Sequence, residues 1–176
     1  MARSVGSVYT PAMCLPRSPL LALALAAALC APPRCAAQDR IRVGLSFGGL
    51  GFMGVVAEQM WGDRSAELLV STFGFRDLSL SLVGKQYFGA AWLKPAVGAG
   101  LSYMVGVSED GLGSALLLRL PLGGDWHVAG PHYITFEVNV ARGLAVKRPD
   151  PEDDLPISTR IIPLPSVSYR LDPGAL

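Results

Sequence analysis

The alternation of apolar and polar residues, which recurs from residue 40 almost to the C-terminus, restricts the fold of this chain more than any other feature. The clearest segment, 134–140, reads ITFEVNV, and the pattern repeats in segments 41–48, 78–82, 97–103, 116–122 and 166–171. Successive side chains of a β-strand point to opposite faces, so a period of two predicts strands that each have one apolar face. No apolar stripe with the 3.6-residue period of a helix follows residue 37. The sequence therefore predicts an all-β fold.

Turns rich in glycine and proline separate about eight such segments. Two of the segments, 53–61 and 66–75, have the composition of strands but mixed faces. The count predicts an antiparallel up-and-down barrel of about eight strands, with strands near residues 40–48, 53–61, 66–75, 77–86, 91–105, 113–122, 132–142 and 157–171.

Residues 1–37 have the organisation of a cleavable signal peptide, whether translation starts at Met1 or Met13. They contain three arginines and no acidic residue, and residues 20–31 form an apolar run of twelve. Such a run fits the apolar region of a signal peptide and is too short for a membrane-spanning helix, which needs about 20 residues. Small residues before the Ala37–Gln38 bond predict cleavage there. The expected segments are a signal peptide (1–37), a barrel (38–171) and a short tail (172–176).

Removal of residues 1–37 changes the composition of the remaining chain. All three cysteines leave, so disulfides, zinc–thiolate sites and cysteine catalysis are not expected in the mature protein. With 12 basic and 14 acidic residues, its net charge is −2. That balance argues against a nucleic-acid partner, which needs a dense basic surface.

Alternation alone does not say which face is the interior. The residues opposite the apolar face are mostly Gly, Ala, Ser and Thr, and only 16% of the chain is charged. A soluble outer surface normally carries more charge, whereas small residues with a few ions suit the narrow lumen of an eight-stranded transmembrane barrel. The interpretation places a polar lumen network, with Glu67 beside it, at Arg42, Glu58, Arg119, Glu137, Arg160 and Arg170.

Aromatic residues and charged loops distinguish the two ends of the predicted barrel. Counting turns from the N-terminus places all three tryptophans at one end, as expected of an aromatic girdle at a membrane interface. The predicted girdle comprises Trp61, Tyr87, Trp92, Trp126, Tyr133 and Tyr169. The longest connection, 143–156, carries six charged residues and lies at the opposite end, where it could meet an extracellular partner.

The pattern, the length and the signal peptide resemble those of small bacterial outer-membrane β-barrels such as OmpX and the transmembrane domain of OmpA. Segment 166–171, SVSYRL, looks like the terminal strand of that family, although five residues follow it. The resemblance implies a location in the bacterial outer membrane, contact with its lipid, and insertion by the barrel-assembly machinery. Pro163 and Pro165 depart from a strand pattern because proline donates no ladder hydrogen bond, so we expect them in a loop rather than at a bulge in the ladder.

The sequence contains no convincing set of catalytic or metal-binding residues. The mature chain has two histidines, His127 and His132, both beside a turn, and no arrangement of Ser, His and an acid points to acyl transfer. The acidic residues at 150–154 lack the spacing of an EF-hand. We therefore expect no enzyme activity, metal or cofactor, and a lumen plugged by polar side chains.

Three functions remain open at this point. The first is a non-enzymatic outer-membrane barrel with a structural or interaction role in the cell envelope. The second is a secreted or periplasmic lipocalin-like barrel that holds a small hydrophobic ligand on an apolar interior. The third is an outer-membrane enzyme that modifies lipids.

Overall fold

The computed structural model describes residues 39–108, 111–148 and 160–175, which form a closed barrel of eight antiparallel strands. Each strand pairs with its neighbours in sequence, and the last pairs with the first, so the predicted up-and-down barrel is confirmed. The predicted signal peptide lies outside the described residues. Within them, one 3-10 turn occurs at Pro173–Ala175, and no helix is long and apolar enough to cross a membrane. The strands are β1 (Arg40–Gly48), β2 (Met53–Trp61), β3 (Arg64–Thr72), β4 (Asp77–Tyr87), β5 (Leu93–Ser108), β6 (Gly111–Ala129), β7 (His132–Lys147) and β8 (Ile162–Leu171).

The path of the chain gives the barrel two distinct ends. The terminal end holds the start of β1, the end of β8 and the turns at 62–63, 88–92 and 130–131. The loop end holds the connections at 49–52, 73–76, 109–110 and 148–161. Of these, residues 109–110 and 149–159 lie outside the described part of the chain.

Burial along the strands shows which face lines the lumen. On β7, Phe136 is 47% exposed, whereas its neighbour Glu137 is 6% exposed and Asn139 is fully buried. The other strands show the same tendency: among the described residues, nineteen polar or charged side chains are buried, compared with nine apolar ones including Pro121. The interior is therefore polar and the exterior apolar, which is the inverse of a water-soluble barrel.

Two strands are longer than the alternation predicts. β6 continues to Ala129 instead of ending near residue 122, because Gly123 and Gly124 stay in the ladder opposite Glu137 and Phe136. A Cβ atom at Gly123 would lie 1.9 Å from the Phe136 carbonyl oxygen, so this glycine permits a close approach between strands rather than a turn. β7 likewise runs to Lys147, so the first five residues of the predicted loop 143–156 belong to a strand.

The expectation that Pro163 and Pro165 lie in a loop is wrong. Both lie in β8 and pair with Val140 and Val138 of β7. The Pro165 carbonyl accepts a hydrogen bond from Gly49 N, so this edge of β8 faces β1. The β1–β8 ladder ends at Gly48–Ser166, and the edge of β8 beyond it has no strand to which it could donate. The missing proline N–H groups therefore break no ladder bond.

The β1–β2 hairpin, residues 48–52, folds inward across the loop end of the lumen. Leu50 at its tip is only 7% exposed. Gly48 N donates to the Phe52 carbonyl at 3.0 Å, and the positive φ of Gly48 and Gly49 (82° and 78°) suits glycine. A Cβ atom at Gly51 would lie 2.5 Å from the Ser71 hydroxyl oxygen, which shows how closely the hairpin packs on the lumen wall. This hairpin covers the lumen at the loop end.

Candidate functional site

The principal candidate site is a group of eight charged side chains inside the barrel, here called the ion cluster. Each occupies an inward position of the two-residue repeat, and none is more than 6% exposed. Four are acidic and four basic, so the cluster is neutral when all are ionised. Its members come from every strand except β5: Arg42, Glu58, Glu67, Lys85, Arg119, Asp125, Glu137 and Arg170.

Arg170 joins two carboxylates that face each other across a ladder. Glu58 of β2 and Glu67 of β3 are direct cross-strand partners, an arrangement in which like charges repel. Arg170 Nη1 donates to Glu58 Oε2 at 2.5 Å, and its Nη2 donates to Glu67 Oε2 at 2.6 Å. The two branches of one guanidinium thus hold β2 and β3 to β8, with charge-assisted hydrogen bonds that are stronger than neutral ones.

Lys85 and Arg119 extend the ion cluster across the lumen. Lys85 Nζ donates to Glu67 Oε2 at 2.5 Å and also donates to Glu137 Oε1. Arg119 Nη1 lies 3.4 Å from Glu67 Oε1, and its Nη2 lies 3.6 Å from Glu137 Oε2. Arg119 Nε donates to Asn139 Oδ1 at 2.6 Å. Positive and negative groups therefore alternate from wall to wall.

A second part of the ion cluster lies toward the terminal end. Arg42 Nη1 donates to Asp125 Oδ2 at 2.6 Å, and the Thr135 hydroxyl donates to Asp125 Oδ1 at 2.5 Å. The Arg42 guanidinium carbon lies 3.9 Å from the centroid of the Tyr133 ring, within cation–π range. Arg42 Nη1 is also 4.0 Å from Glu58 Oε2, which links the two parts of the cluster.

Strand β5 provides the space that these long side chains occupy. Its inward positions in the central region are Ala96, Gly98, Gly100 and Ser102. A Cβ atom at Gly98 would lie 3.0 Å from Lys85 Cγ, and one at Gly100 would lie 2.1 Å from the Leu82 carbonyl oxygen. A bulkier β5 would therefore displace either the ions or the neighbouring strand.

The geometry of the ion cluster favours closure of the lumen. Each of its four carboxylates lies within 4.0 Å of at least one cation of the cluster. Burying an unpaired charge is costly, so the pairs hold one another in place. The lumen is thus filled by paired ions below the β1–β2 hairpin, and its side chains cross from one wall to the other.

The structure brings together five of the six residues predicted to form a lumen network. Arg42, Glu58, Arg119, Glu137 and Arg170 all belong to the ion cluster. Arg160 does not belong to the cluster: it is exposed, and Ile161 separates it from the start of β8. The predicted strand 157–171 starts too early, so extending its alternation to residue 160 placed this arginine in the lumen.

The predicted aromatic girdle divides into two groups. Trp61, Trp126 and Tyr169 are exposed on the outer face of their strands at the terminal end, and Trp92 is exposed in the 88–92 turn. The Trp92 and Trp126 rings meet edge to face at 6.0 Å. Tyr87, by contrast, is 2% exposed and donates a hydrogen bond to Glu58 Oε1 at 2.6 Å, and Tyr133 lies under Arg42. These two tyrosines share the inward parity of Lys85 and Thr135.

Sequence reasoning missed Lys85 and Asp125, although the alternation contains a signal for both. Lys85 follows Ser79 and Ser81 at even spacing, opposite the apolar face of β4. Asp125 shares the parity of Arg119, but the glycines at 123 and 124 suggested that the strand had ended. Extending the parity through these glycines would have found it.

The two histidines and the acidic residues form no further cluster in the described structure. His127 Nε2 lies 2.9 Å from the Gly130 carbonyl oxygen, and His132 Nδ1 lies 2.6 Å from the Tyr169 hydroxyl. Within residues 39–108, 111–148 and 160–175, no three His, Cys, Asp or Glu side chains are arranged to hold a metal ion. The acidic run at 150–154 lies outside these ranges.

Comparisons of the chain with protein-family models, with curated proteins and with solved structures give no match.

Proposed function

We propose that this chain is a non-enzymatic β-barrel of the bacterial outer membrane, with a structural or interaction role in the cell envelope. The observation that carries the proposal is the inverted barrel, with an apolar exterior and buried ions inside. In water, a wall of exposed leucine, valine and phenylalanine would be an aggregation hazard. In lipid the same wall is favourable, and a closed barrel satisfies its backbone hydrogen bonds without water.

Strand length and aromatic placement also support a membrane location. The shortest strands, β1 to β3, have nine residues each, and a tilted strand needs about 9–11 residues to cross a bilayer. The exposed tryptophans at the terminal end suit the interface between lipid and water. Outer-membrane lipid would then cover the apolar wall, and the barrel-assembly machinery would insert a chain exported by residues 1–37.

The two other functions fit the barrel less well. A lipocalin-like protein needs an apolar interior for its ligand, and this interior holds the ion cluster. A lipid-modifying enzyme needs a base beside a nucleophile, and the contacts of His127 and His132 are with Gly130 and Tyr169. Within the proposal, an interaction with an extracellular partner would use the loop end, including the charged segment 143–156.

The first test is fractionation of the full chain expressed in a Gram-negative host. We expect it in the outer membrane, extractable only with detergent, because the apolar wall cannot be left in water. On a gel, the unheated sample should migrate differently from the boiled one, since the closed barrel resists the detergent. Recovery as a soluble periplasmic monomer would contradict the proposal and favour a lipocalin-like protein.

A pair of variants controls for general destabilisation in that test. Leu82, in the middle of β4, is 60% exposed on the wall, and Leu112, near the loop end of β6, is 58% exposed. Leu82→Arg should lower stability in lipid vesicles by about 2–4 kcal/mol, and Leu112→Arg by about 0–1 kcal/mol. Equal effects would contradict a bilayer centred on the wall.

A second prediction concerns transport. In planar lipid bilayers, the purified chain should give no conductance steps, because the ion cluster and the β1–β2 hairpin fill the lumen. A double variant, Lys85→Ala with Glu137→Ala, removes one cation and one carboxylate together and should admit small ions. If the unaltered chain conducts ions as well as the double variant does, the lumen is not plugged.

A further inference from the structure

A cavity of about 290 Å³ opens at the terminal end of the barrel, between the lumen and the surface. Strands β1, β5, β6 and β7 and the 88–92 turn line it, and its functional side chains are Arg40, Arg42, Trp92, Lys94, His127 and Tyr133, with Asp125 at the base. It lies beyond the part of the ion cluster formed by Arg42 and Asp125. We call it the mouth cavity.

The mouth cavity has an excess of positive charge. Three cations line it, and Asp125 is the one carboxylate among its lining residues. Asp125 is already bound by Arg42 and Thr135. Arg40 lies 3.7 Å from the carboxylate of Asp172, a residue that does not line the cavity. Lys94 is half-buried and forms no ion pair with any described residue. A half-buried, unpaired ammonium group gains from the arrival of an anion.

Arg42 adds a buried cation to this wall. The residue is 6% exposed, and its Nε atom is buried without a hydrogen-bond partner, although its Nη1 atom binds Asp125. The Nε atom is enclosed by protein, so Arg42 contributes positive charge to the cavity rather than a free hydrogen bond.

Contacts with two neighbouring side chains hold Tyr133 in the lining of the cavity. Tyr133 has Arg42 over its ring at 3.9 Å and the His127 ring stacked at 4.9 Å with an interplanar angle of 29°. Trp92 is 66% exposed and contacts Trp126 edge to face, so much of its surface is available to a planar group. The cavity volume lies at the small end of the range for ligand sites, which suits one ring with one anionic substituent.

We propose that the mouth cavity binds a small organic anion, a carboxylate or a phosphate carried on a flat ring. Lys94 binds the anionic group, the positive charge of Arg42 adds to the attraction, and Trp92 contacts the ring. The site depends on the folded terminal end of the barrel and not on its location, so it can be tested in detergent independently of the membrane proposal.

Titration calorimetry of the detergent-solubilised full chain tests this site with three probes of similar shape. Benzoate and phenyl phosphate should bind, whereas benzamide, which has the shape of benzoate without its charge, should bind at least tenfold more weakly. The tighter of the two anions identifies the preferred group. Raising the salt concentration should weaken both, because the recognition is electrostatic. Equal binding of benzamide and benzoate, or no binding of either anion at millimolar concentration, would overturn the proposal.

Two variants locate the binding. Lys94→Gln should lower the benzoate affinity at least tenfold and leave folding intact, because Lys94 has no carboxylate partner to abandon. Trp92→Leu should lower it severalfold while retaining the discrimination against benzamide. Arg76→Gln removes one positive charge from the exposed loop end and should change nothing. Unchanged affinity in Lys94→Gln, or an equal loss in Arg76→Gln, would place the binding elsewhere.

Discussion

Replacing Arg170 with methionine should destabilise the folded barrel by about 3–5 kcal/mol, the usual cost of breaking a buried ion pair. The guanidinium holds both Glu58 and Glu67, at 2.5 and 2.6 Å. Without it, two facing carboxylates remain buried, and the cluster has four acids against three bases. Urea unfolding of the chain in lipid vesicles, followed by tryptophan fluorescence, measures the loss.

Two further variants show whether the loss of stability comes from the pairing of Arg170 with the buried carboxylates. Arg76→Met removes an exposed arginine at the loop end and should change the unfolding free energy by less than about 0.5 kcal/mol. Adding Glu58→Gln to Arg170→Met removes the carboxylate that loses its closest cation and should restore part of the stability. If the double variant is less stable than Arg170→Met by the full cost of Glu58→Gln alone, the two side chains are not coupled.

Gly100→Ala is expected to prevent normal closure of the barrel. The new methyl group would lie 2.1 Å from the Leu82 carbonyl oxygen and 2.6 Å from the Val83 Cα atom, and both are backbone atoms that cannot rotate away. Overpacking in a core costs up to about 3 kcal/mol, and a contact against backbone belongs at or above that limit. The measurement is the fraction of chain that shows the heat-dependent gel shift after refolding.

Gly84→Ala is the matched control, because it makes the same substitution on the neighbouring strand. The nearest atoms to a Cβ at Gly84 are two carbonyl oxygens at 4.0 Å, an ordinary contact. This variant should fold like the parent chain. Equal folding of Gly100→Ala and Gly84→Ala would show that β4 and β5 separate easily, against the close approach described above.

The faces of the strands could be predicted from sequence because the pleat imposes its period on the side chains directly. Phe136 and Glu137 differ in exposure because adjacent residues of a strand point to opposite sides of the sheet. The same rule carries Lys85 and Asp125 into the lumen, where their partners are far away in sequence. The ion pairs themselves depend on the pairing register, since Lys85 meets Glu137 from 52 residues away.

Strand ends were harder to predict because glycine and proline have two uses. Gly123 permits a close approach between β6 and β7, yet in sequence it looks like the start of a turn. Pro163 and Pro165 suggest a loop, but they lie on the part of the β8 edge that extends past β1. Arg160 was placed inside by continuing a parity beyond the end of the strand. Whether a strand continues through such a glycine or proline depends on its pairing with the neighbouring strand.

The position of Arg170 so late in the chain has a consequence for assembly. The β2–β3 hairpin is local and can form early, but it sets Glu58 against Glu67 with only a short turn between the strands. The Arg170 guanidinium, which binds both carboxylates, belongs to the final ten-residue strand. That strand also closes the barrel by pairing with β1. Lys85 of β4 can pair with Glu67 before that, but Glu58 gains its closest cation only when β8 is in place. The chain therefore neutralises Glu58 and closes the barrel in one step, which favours the complete barrel over partly formed intermediates.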